Sequence, residues 1–214
     1  MSFVSFGLVA PLPRTPTLTA KRVLDISLVL LALPVLVPVF VVIAALVRLT
    51  SRGPAFFVQT RIGRNGVPFG MVKFRSMHRD AEARREQVLA SSDRDGLCFK
   101  AKDDPRITGF GRVLRRASLD ELPQLINVLM GDMSLVGPRP ALPEEVAAYP
   151  AHATERLAAL PGITGAWQVA GRADLGFDEM LALDVGYVRH ATIATDLQIL
   201  AQTFGAVTSG RGAY

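Results

Sequence analysis

The stretch ISLVLLALPVLVPVFVVIAALV, residues 26–47, decides how this chain is arranged. It carries no charged side chain, and it is long enough for a helix to cross a hydrocarbon core, which needs roughly 20 residues. Pro34 and Pro38 lie inside it. Because each proline removes a backbone donor and clashes with the preceding turn, a helix that runs through both is expected to bend there.

Basic side chains stand on both sides of this apolar stretch. Lys21 and Arg22 precede it, and four arginines follow it: Arg48, Arg52, Arg61 and Arg64. Since the cytoplasmic flanks of membrane segments are enriched in Lys and Arg, both ends are expected in the cytoplasm. The sequence therefore predicts a re-entrant membrane helix hairpin over residues 21–52 that enters and leaves one leaflet. An ordinary bent helix that spans the membrane is the alternative.

The rest of the chain divides into a short lead-in and one globular domain. Residues 1–20 are rich in Pro and Thr and show no periodicity, whereas residues 53–214 hold enough apolar side chains for one core. The net charge of +5 and a pI near 9.9 favour an anionic partner, either lipid headgroups, phosphates or nucleic acid. The single cysteine, Cys98, excludes an internal disulfide and a multi-cysteine zinc site.

Local patterns predict an α+β fold that is mainly helical. Residues 55–59 and 69–74 are typical of two short strands, and the turn Arg64-Asn65-Gly66 between them indicates a β-hairpin. Residues 79–90 are rich in Ala, Glu and Arg and predict a solvated helix. From residue 107 onward the pattern is helical, interrupted by Gly and Pro.

Two adjacent carboxylates, Asp120 and Glu121, begin one of these helices just after a group of arginines. Ser118 and Glu121 have the spacing of a capping box, which would give the pair a purely structural role. Pro123 argues against a helix capped at Ser118, because its nitrogen would then have to donate. A helix capped at Asp120 avoids this conflict and would keep an ionised carboxylate among cations, where it could attack phosphorus. The residues alone leave both interpretations open.

Cations that could bind phosphate occur in two further segments. Prolines on both sides of Arg139 restrict its backbone, and a pre-aimed guanidinium suits a phosphate; a rigid loop with a solvated arginine is the alternative. Lys73 and Arg75 stand at the end of a predicted strand, where an edge-strand charge pair would explain them equally well. For a magnesium ion, which typically takes only one or two protein carboxylates, Asp120 and Glu121 would be enough.

Five segments together resemble one enzyme family, the bacterial sugar transferases, which are monotopic polyprenyl-phosphate phosphoglycosyl transferases. These segments are KFRSM (73–77), DPRIT (104–108), SLDELPQ (118–124), GDMSLVGPRP (131–140) and PGITG (161–165). The resemblance covers nearly everything from residue 21 to about residue 200, and the chain looks like the minimal, single catalytic domain form of the family.

The resemblance implies a reaction and a role for each candidate residue. Such enzymes move a phosphosugar from a UDP-sugar to polyprenyl (undecaprenyl) phosphate and release UMP, as the first membrane step of exopolysaccharide or other surface glycan assembly. Asp120 would form the covalent phosphosugar intermediate, and Glu121 would help to hold Mg²⁺ or manage protons. Cations at five positions would bind the phosphates: Lys73, Arg75, Arg112, Arg115 and Arg139.

The resemblance also implies where the protein acts. Its catalytic domain would lie on the cytoplasmic face of the bacterial inner membrane, with the bend of the helix at Val37-Pro38, where the family has Ser-Pro, and with Pro34 sharing the bend. Residues 167–184 would help to select a sugar that the sequence does not identify, and a homo-oligomer stays open. A tethered protein that binds nucleic acid or anionic lipid, or a non-catalytic scaffold, would not need the carboxylate pair. The sequence therefore favours the enzyme, without a nucleic-acid partner.

Overall fold

The computed structural model describes residues 16–81, 83–84, 104–171 and 175–209. Seven α-helices lie in this part of the chain: α1 Pro16–Thr50, α2 Gly109–Arg116, α3 Gln124–Met130, α4 Pro143–Ala147, α5 Ala166–Ala170, α6 Phe177–His190 and α7 Ile193–Ser209. Four strands form two pairs: β1 Phe56–Ile62, β2 Pro68–Phe74, β3 Ser134–Val136 and β4 Gly162–Thr164. The mainly helical α+β fold expected from the sequence is confirmed. Most of the helix predicted at 79–90, and Cys98, lie outside the described residues.

Helix α1 contains the apolar stretch. It begins at Pro16, earlier than the predicted hairpin, and ends at Thr50, and the helix is continuous through Pro34 and Pro38. No loop therefore separates two helical halves, and the re-entrant course stays a prediction. Among the described residues α1 is the one helix long and apolar enough to cross a membrane, with a mean hydropathy of 3.0 in an 18-residue window within Ala20–Thr50.

Both ends of α1 are buried against the globular domain, whereas its middle is not buried. Val29, near the N-terminal end, belongs to a buried cluster with Met71, Val128 and Met133. Near the other end, Ile43 and Val47 are buried in a cluster with Phe74 and Leu114. Between them, residues 30–42 include no buried side chain, and Leu31 is 78% exposed. So much exposed apolar surface indicates association with a membrane.

The β-hairpin predicted around Arg64-Asn65-Gly66 is present. Strands β1 and β2 are antiparallel, with Phe56 opposite Phe74 and Ile62 opposite Pro68. Asn65 and Gly66 in the turn have φ values of 58° and 78°, the left-handed region that these two residue types tolerate. The hairpin places Lys73 and Arg61 beside the carboxylate-bearing segment.

A parallel strand pair, which the sequence did not indicate, joins two of the motifs. Ser134 of β3 pairs with Gly162 of β4, and Val136 pairs with Thr164. The two backbones approach so closely that a Cβ on Gly162 would lie 2.1 Å from the nitrogen of Gly137. Only glycine fits there, and the contact fixes the segment before Arg139 against β4.

The segment that carries the carboxylates begins in neither of the two ways considered from the sequence. Ser118 has a left-handed backbone with φ of 55° and makes no capping hydrogen bond, so the capping box is absent. Leu119–Glu121 form one 3₁₀ turn, and α3 starts only after Pro123, which occupies its N-cap position. The expectation that Asp120 caps the helix is therefore wrong. Pro123 still falls where no backbone donor is needed.

Candidate active site

A cleft in the described part of the chain has a volume of about 570 Å³. It is bounded on one side by the β-hairpin, the end of α2, the carboxylate turn and the segment at Arg139. On the other side it is bounded by β4, α5 and α7. Its polar side chains include the five candidate site residues Lys73, Arg115, Asp120, Glu121 and Arg139, together with Gln168, which lies in the range expected to select the sugar. Five further polar side chains had not been expected at the site: Arg61, Ser118, Gln124, Thr164 and Thr203.

Asp120 is buried at the wall of this cleft. Burial raises the pKa of its carboxyl group, and the neighbouring Glu121 raises it further, while Lys73 and Arg115 act in the opposite direction. The loss of water on burial thus outweighs the surrounding cations in the direction of this pKa shift. The carboxylate is consequently poorly solvated, and Lys73 and Arg115 are the charges that stabilise its ionised form.

Glu121 is partly exposed and is paired directly with Lys73. The Lys73 ammonium donates to Oε1 of Glu121 at 2.8 Å. Burial by itself would raise the pKa of Glu121, but Lys73, together with Arg61 and Arg139, holds it below its usual value. Glu121 is thus the carboxylate that stays ionised, which distinguishes it electrostatically from Asp120.

The side chain of Arg139 is held by the carboxylate of Glu145, and its backbone carbonyl is held by the buried Arg156. The Arg139 guanidinium donates to both carboxylate oxygens of Glu145, at 2.9 and 3.3 Å. Its backbone carbonyl accepts a hydrogen bond from Arg156, which is 1% exposed and forms an ion pair with the equally buried Asp184. These contacts fix the orientation of Arg139 at the wall of the cleft.

Arg115 and Arg61 complete the cationic lining. Arg115 donates through Nε to the hydroxyl of Ser76 at 3.0 Å, which fixes the plane of its guanidinium. Arg61 is buried, donates to the carbonyl of Pro140 and to the side chain of Gln59, and has its pKa lowered to about 10 by burial and by Arg139. From its position in the sequence, Arg61 was expected only as a basic flank of the membrane segment. Its role at the cleft follows from a strand longer than predicted.

Two of the predicted phosphate-binding residues do not reach the cleft. Arg75 is buried at the C-terminal end of α1, where its guanidinium donates to the backbone carbonyls of Ser51 and Arg52 at 2.7 and 3.0 Å. Arg112 is exposed on α2. The structure gives Arg75 an anchoring role and gives Arg112 no contact with the cleft.

The residues predicted to select the sugar separate into different environments. Trp167 and Gln168 line the cleft, whereas Asp184 is buried in its pair with Arg156. Residues 172–174 lie outside the described residues. Thr203 also lines the cleft, from α7, and nothing in the sequence analysis pointed to it.

Carboxylates at the cleft fit a hard divalent cation. The described residues include no cluster of three or more His, Cys, Asp and Glu that could hold a metal ion. Asp120 and Glu121 nevertheless present adjacent oxygen donors, and Lys73 engages only Oε1 of Glu121. Since Mg²⁺ keeps water and substrate phosphate in most of its coordination positions, two such donors suffice.

Comparison with known proteins gives a consistent result. A family model described as bacterial sugar transferase matches residues 16–210. The chain is 45% identical over 197 residues to "Galactosyl transferase CpsE" of Streptococcus agalactiae, covering 92% of this chain and 44% of that protein. It is 39% identical to "Exopolysaccharide production protein ExoY" of Sinorhizobium fredii, covering 91% and 88%. The chain thus spans less than half of the first relative and most of the second.

One further relative has a name that states a complete reaction. The "UDP-glucose:undecaprenyl-phosphate glucose-1-phosphate transferase" of Caulobacter vibrioides is 38% identical over 212 residues, which cover 95% of this chain and 75% of that protein. The similarity therefore includes the apolar helix α1 and every element that lines the cleft.

Proposed function

Because the chain belongs to the bacterial sugar transferase family, we propose that it transfers a sugar phosphate from a UDP-sugar to undecaprenyl phosphate and releases UMP. The name of the Caulobacter relative supports this donor and this acceptor, and that of ExoY supports a place in exopolysaccharide production. The observation that carries the proposal is the cleft itself, in which two adjacent carboxylates meet four cationic side chains, Arg61, Lys73, Arg115 and Arg139.

In the proposed first step, a carboxylate oxygen of Asp120 attacks the phosphorus that bears the sugar. A bond forms between this oxygen and phosphorus, the bond from phosphorus to the bridging oxygen breaks, and UMP leaves with that oxygen. In the second step a phosphate oxygen of undecaprenyl phosphate attacks the same phosphorus and releases the carboxylate. Burial makes Asp120 a poorly solvated nucleophile, and the proximity of Lys73 and Arg115 keeps its ionised form accessible.

The cations of the cleft have the geometry to bind the charged parts of the substrates. Arg115 and Arg139 are both held in place by second contacts, to Ser76 and Glu145, so little side-chain freedom is lost when they bind a phosphate. Arg61 and Lys73 add positive charge from the hairpin. This positive charge reduces the repulsion between the carboxylate of Asp120 and the anionic phosphate that it attacks. When bound between Asp120 and Glu121, Mg²⁺ would neutralise pyrophosphate oxygens and the departing UMP.

We further propose that α1 is re-entrant, with its bend near Pro34 and Pro38 and with both ends on the cytoplasmic face of the inner membrane. The contacts at both ends of α1 support this course. Arg22, at one end, donates to the carbonyls of Val128 and Leu129 of the domain, and Phe40 packs edge-on against Phe74 nearer the other end. A helix that crossed a core about 30 Å thick would carry one of these ends away from the domain.

The test of the proposed function is the capture of the intermediate. Detergent-purified protein is incubated with Mg²⁺ and a panel of labelled UDP-sugars, without lipid acceptor. We expect the label on the protein and UMP in solution for at least one sugar, and undecaprenyl phosphate should then discharge the label. Asp120→Asn should abolish both signals, whereas Asp178→Asn, an exposed matched control on α6, should retain them. Normal turnover by Asp120→Asn would overturn the covalent mechanism, and inactivity with every UDP-sugar would favour a scaffold.

A further inference from the structure

We infer that the side of the cleft formed by Thr164, Gln168 and Thr203 binds hydroxyl groups of the transferred sugar and thereby sets the sugar preference. The inference rests on the proposed function, because it names the part of the UDP-sugar that this side receives. Thr203 and Gln168 are specificity-determining residues in this view.

The lining of the cleft changes in chemical character from one side to the other. The hairpin, the end of α2 and the segment at Arg139 supply the cations that match phosphate oxygens. By contrast, β4, α5 and α7 supply no charged side chain to the cleft in the part of the chain that the structure describes; they supply Gly162, Ile163, Thr164, Trp167, Gln168, Leu200 and Thr203. Neutral hydrogen-bonding groups suit a neutral polyhydroxylated ligand, since such a ligand brings no charge to compensate.

The two threonines are arranged so that they offer acceptors to a ligand. The hydroxyl of Thr203 donates to the carbonyl of Ile199 at 2.8 Å. Its single hydrogen is then used, so in its 2.7 Å contact with Thr164 the donor is the hydroxyl of Thr164. Both hydrogens are therefore engaged within the protein, and lone pairs remain on both oxygens. A sugar hydroxyl, which carries a donor, complements them.

Gln168 adds an amide to the same side of the cleft. It makes no hydrogen bond within the described residues, and its carbonyl oxygen is buried where a Cβ on Gly165 would lie only 2.8 Å away. A buried amide oxygen without a donor is unfavourable, so the side chain gains if it turns this oxygen toward a donor in the cleft. The amide can both donate and accept, so it can distinguish hydroxyl groups by position.

The hydroxyl of Thr203 is held rigidly. Asp196, Ile199 and Thr203 recur on one face of α7, at the spacing of neighbouring turns. Asp196 is buried and bonded to Lys21 of α1 and to the hydroxyl of Tyr187, and Ile199 packs in a core cluster with Tyr187. Because contacts of Asp196, Ile199 and Thr203 fix three successive turns of this helix face, Thr203 presents its oxygen at a defined position. Selection among epimeric sugars requires such a defined position.

The experiment measures the coupling between Thr203 and individual sugar hydroxyls. After a UDP-sugar that the wild type uses has been identified, its analogues lacking one hydroxyl each are compared in the wild type and in Thr203→Val, which keeps the shape of the side chain. In the wild type, removal of the sugar hydroxyl that donates a hydrogen bond to Thr203 should lower kcat/KM about 5- to 10-fold. The same removal should cost Thr203→Val less than about twofold, while other removals cost both enzymes equally.

The remaining measurements separate the inference from simpler explanations. The affinity for UDP should stay within about twofold in Thr203→Val, and Thr154→Val, an exposed threonine away from the cleft, should match the wild type throughout. Gln168→Met provides an independent cycle if Thr203→Val fails to fold. Additive effects at every hydroxyl in both cycles would overturn the inference, as would a parallel loss of UDP affinity. Inactivity of the wild type with all UDP-sugars would instead count against the proposed function.

Discussion

The ammonium of Lys73 lies 2.8 Å from Oε1 of Glu121, and this ion pair joins the β-hairpin to the carboxylate turn. Lys73 is also the strongest influence that favours the ionised form of Asp120. One cation of β2 therefore favours the ionised form of both adjacent carboxylates. Lys73 thus explains how two acidic side chains can face the same cleft, although the negative charges of neighbouring carboxylates repel each other.

We expect Lys73→Met to lose at least about tenfold in formation of the labelled phosphosugar adduct, because both carboxylates lose their main favourable partner. The measurement is the initial rate of adduct formation with the preferred UDP-sugar. Arg64→Met is the matched control, since Arg64 is exposed in the turn of the same hairpin and should react at the wild-type rate. Equal rates for Lys73→Met and Arg64→Met would contradict this role.

Arg75 and Arg115 should respond differently to the same substitution. Arg75→Met removes the hydrogen bonds to Ser51 and Arg52, and we expect Tm to fall by about 5 °C with KM for the UDP-sugar within about twofold. Arg115→Met removes a cleft cation, and we expect KM to rise about tenfold with little change in Tm. Thermal unfolding in detergent and steady-state kinetics give both values. A rise in KM for Arg75→Met would show that Arg75 contributes to substrate binding and would contradict its assignment as an anchor of α1.

The stability of the protein should depend on pH through Glu145. Burial by itself would raise the pKa of Glu145, but its ion pair with Arg139 holds the pKa below the usual value of 4.5. A carboxyl with a depressed folded-state pKa contributes stability that is complete above the unfolded pKa and is lost as pH falls through the folded value.

The measurement is Tm between pH 7 and pH 3 for wild type and Glu145→Gln. We expect Glu145→Gln to have the lower Tm at pH 7 and the difference between the two proteins to shrink as the pH falls below the unfolded pKa of about 4.3. Glu155→Gln, which removes a carboxylate from an exposed ion pair with Arg189, should change Tm much less at either end. A constant difference between wild type and Glu145→Gln over the whole range would show that Glu145 acts without its charge.

The course of α1 can be tested by labelling. In a Cys98→Ser background, Ser2→Cys and Ser209→Cys mark the two ends of the chain. If α1 is re-entrant, a membrane-impermeant maleimide should leave both unlabelled in intact cells and label both after the inner membrane is opened. A cysteine in a known periplasmic domain is the positive control for intact cells. Labelling of residue 2 from outside would show that α1 spans the membrane.

Local sequence was sufficient for the features that depend on neighbouring residues. The apolar content of α1, the turn at Asn65 and Gly66, and the adjacency of Asp120 and Glu121 can all be read along the chain, because each is set by backbone preference or hydropathy over a few residues. Local charge and proline context pointed to Lys73 and Arg139 without excluding a structural role, and the family resemblance added Arg115. The structure brings all three to one cleft.

Tertiary structure decided which charges meet and which are buried. Arg61 lies in β1 and Arg75 directly follows β2, yet Arg61 lines the cleft and Arg75 anchors α1. The raised pKa of Asp120 follows from burial, and Thr203 comes to the cleft on α7 through its contact with Thr164 of β4. Desolvation and long-range pairing depend on distances between segments far apart in the chain, so a linear pattern contains too little information to fix them.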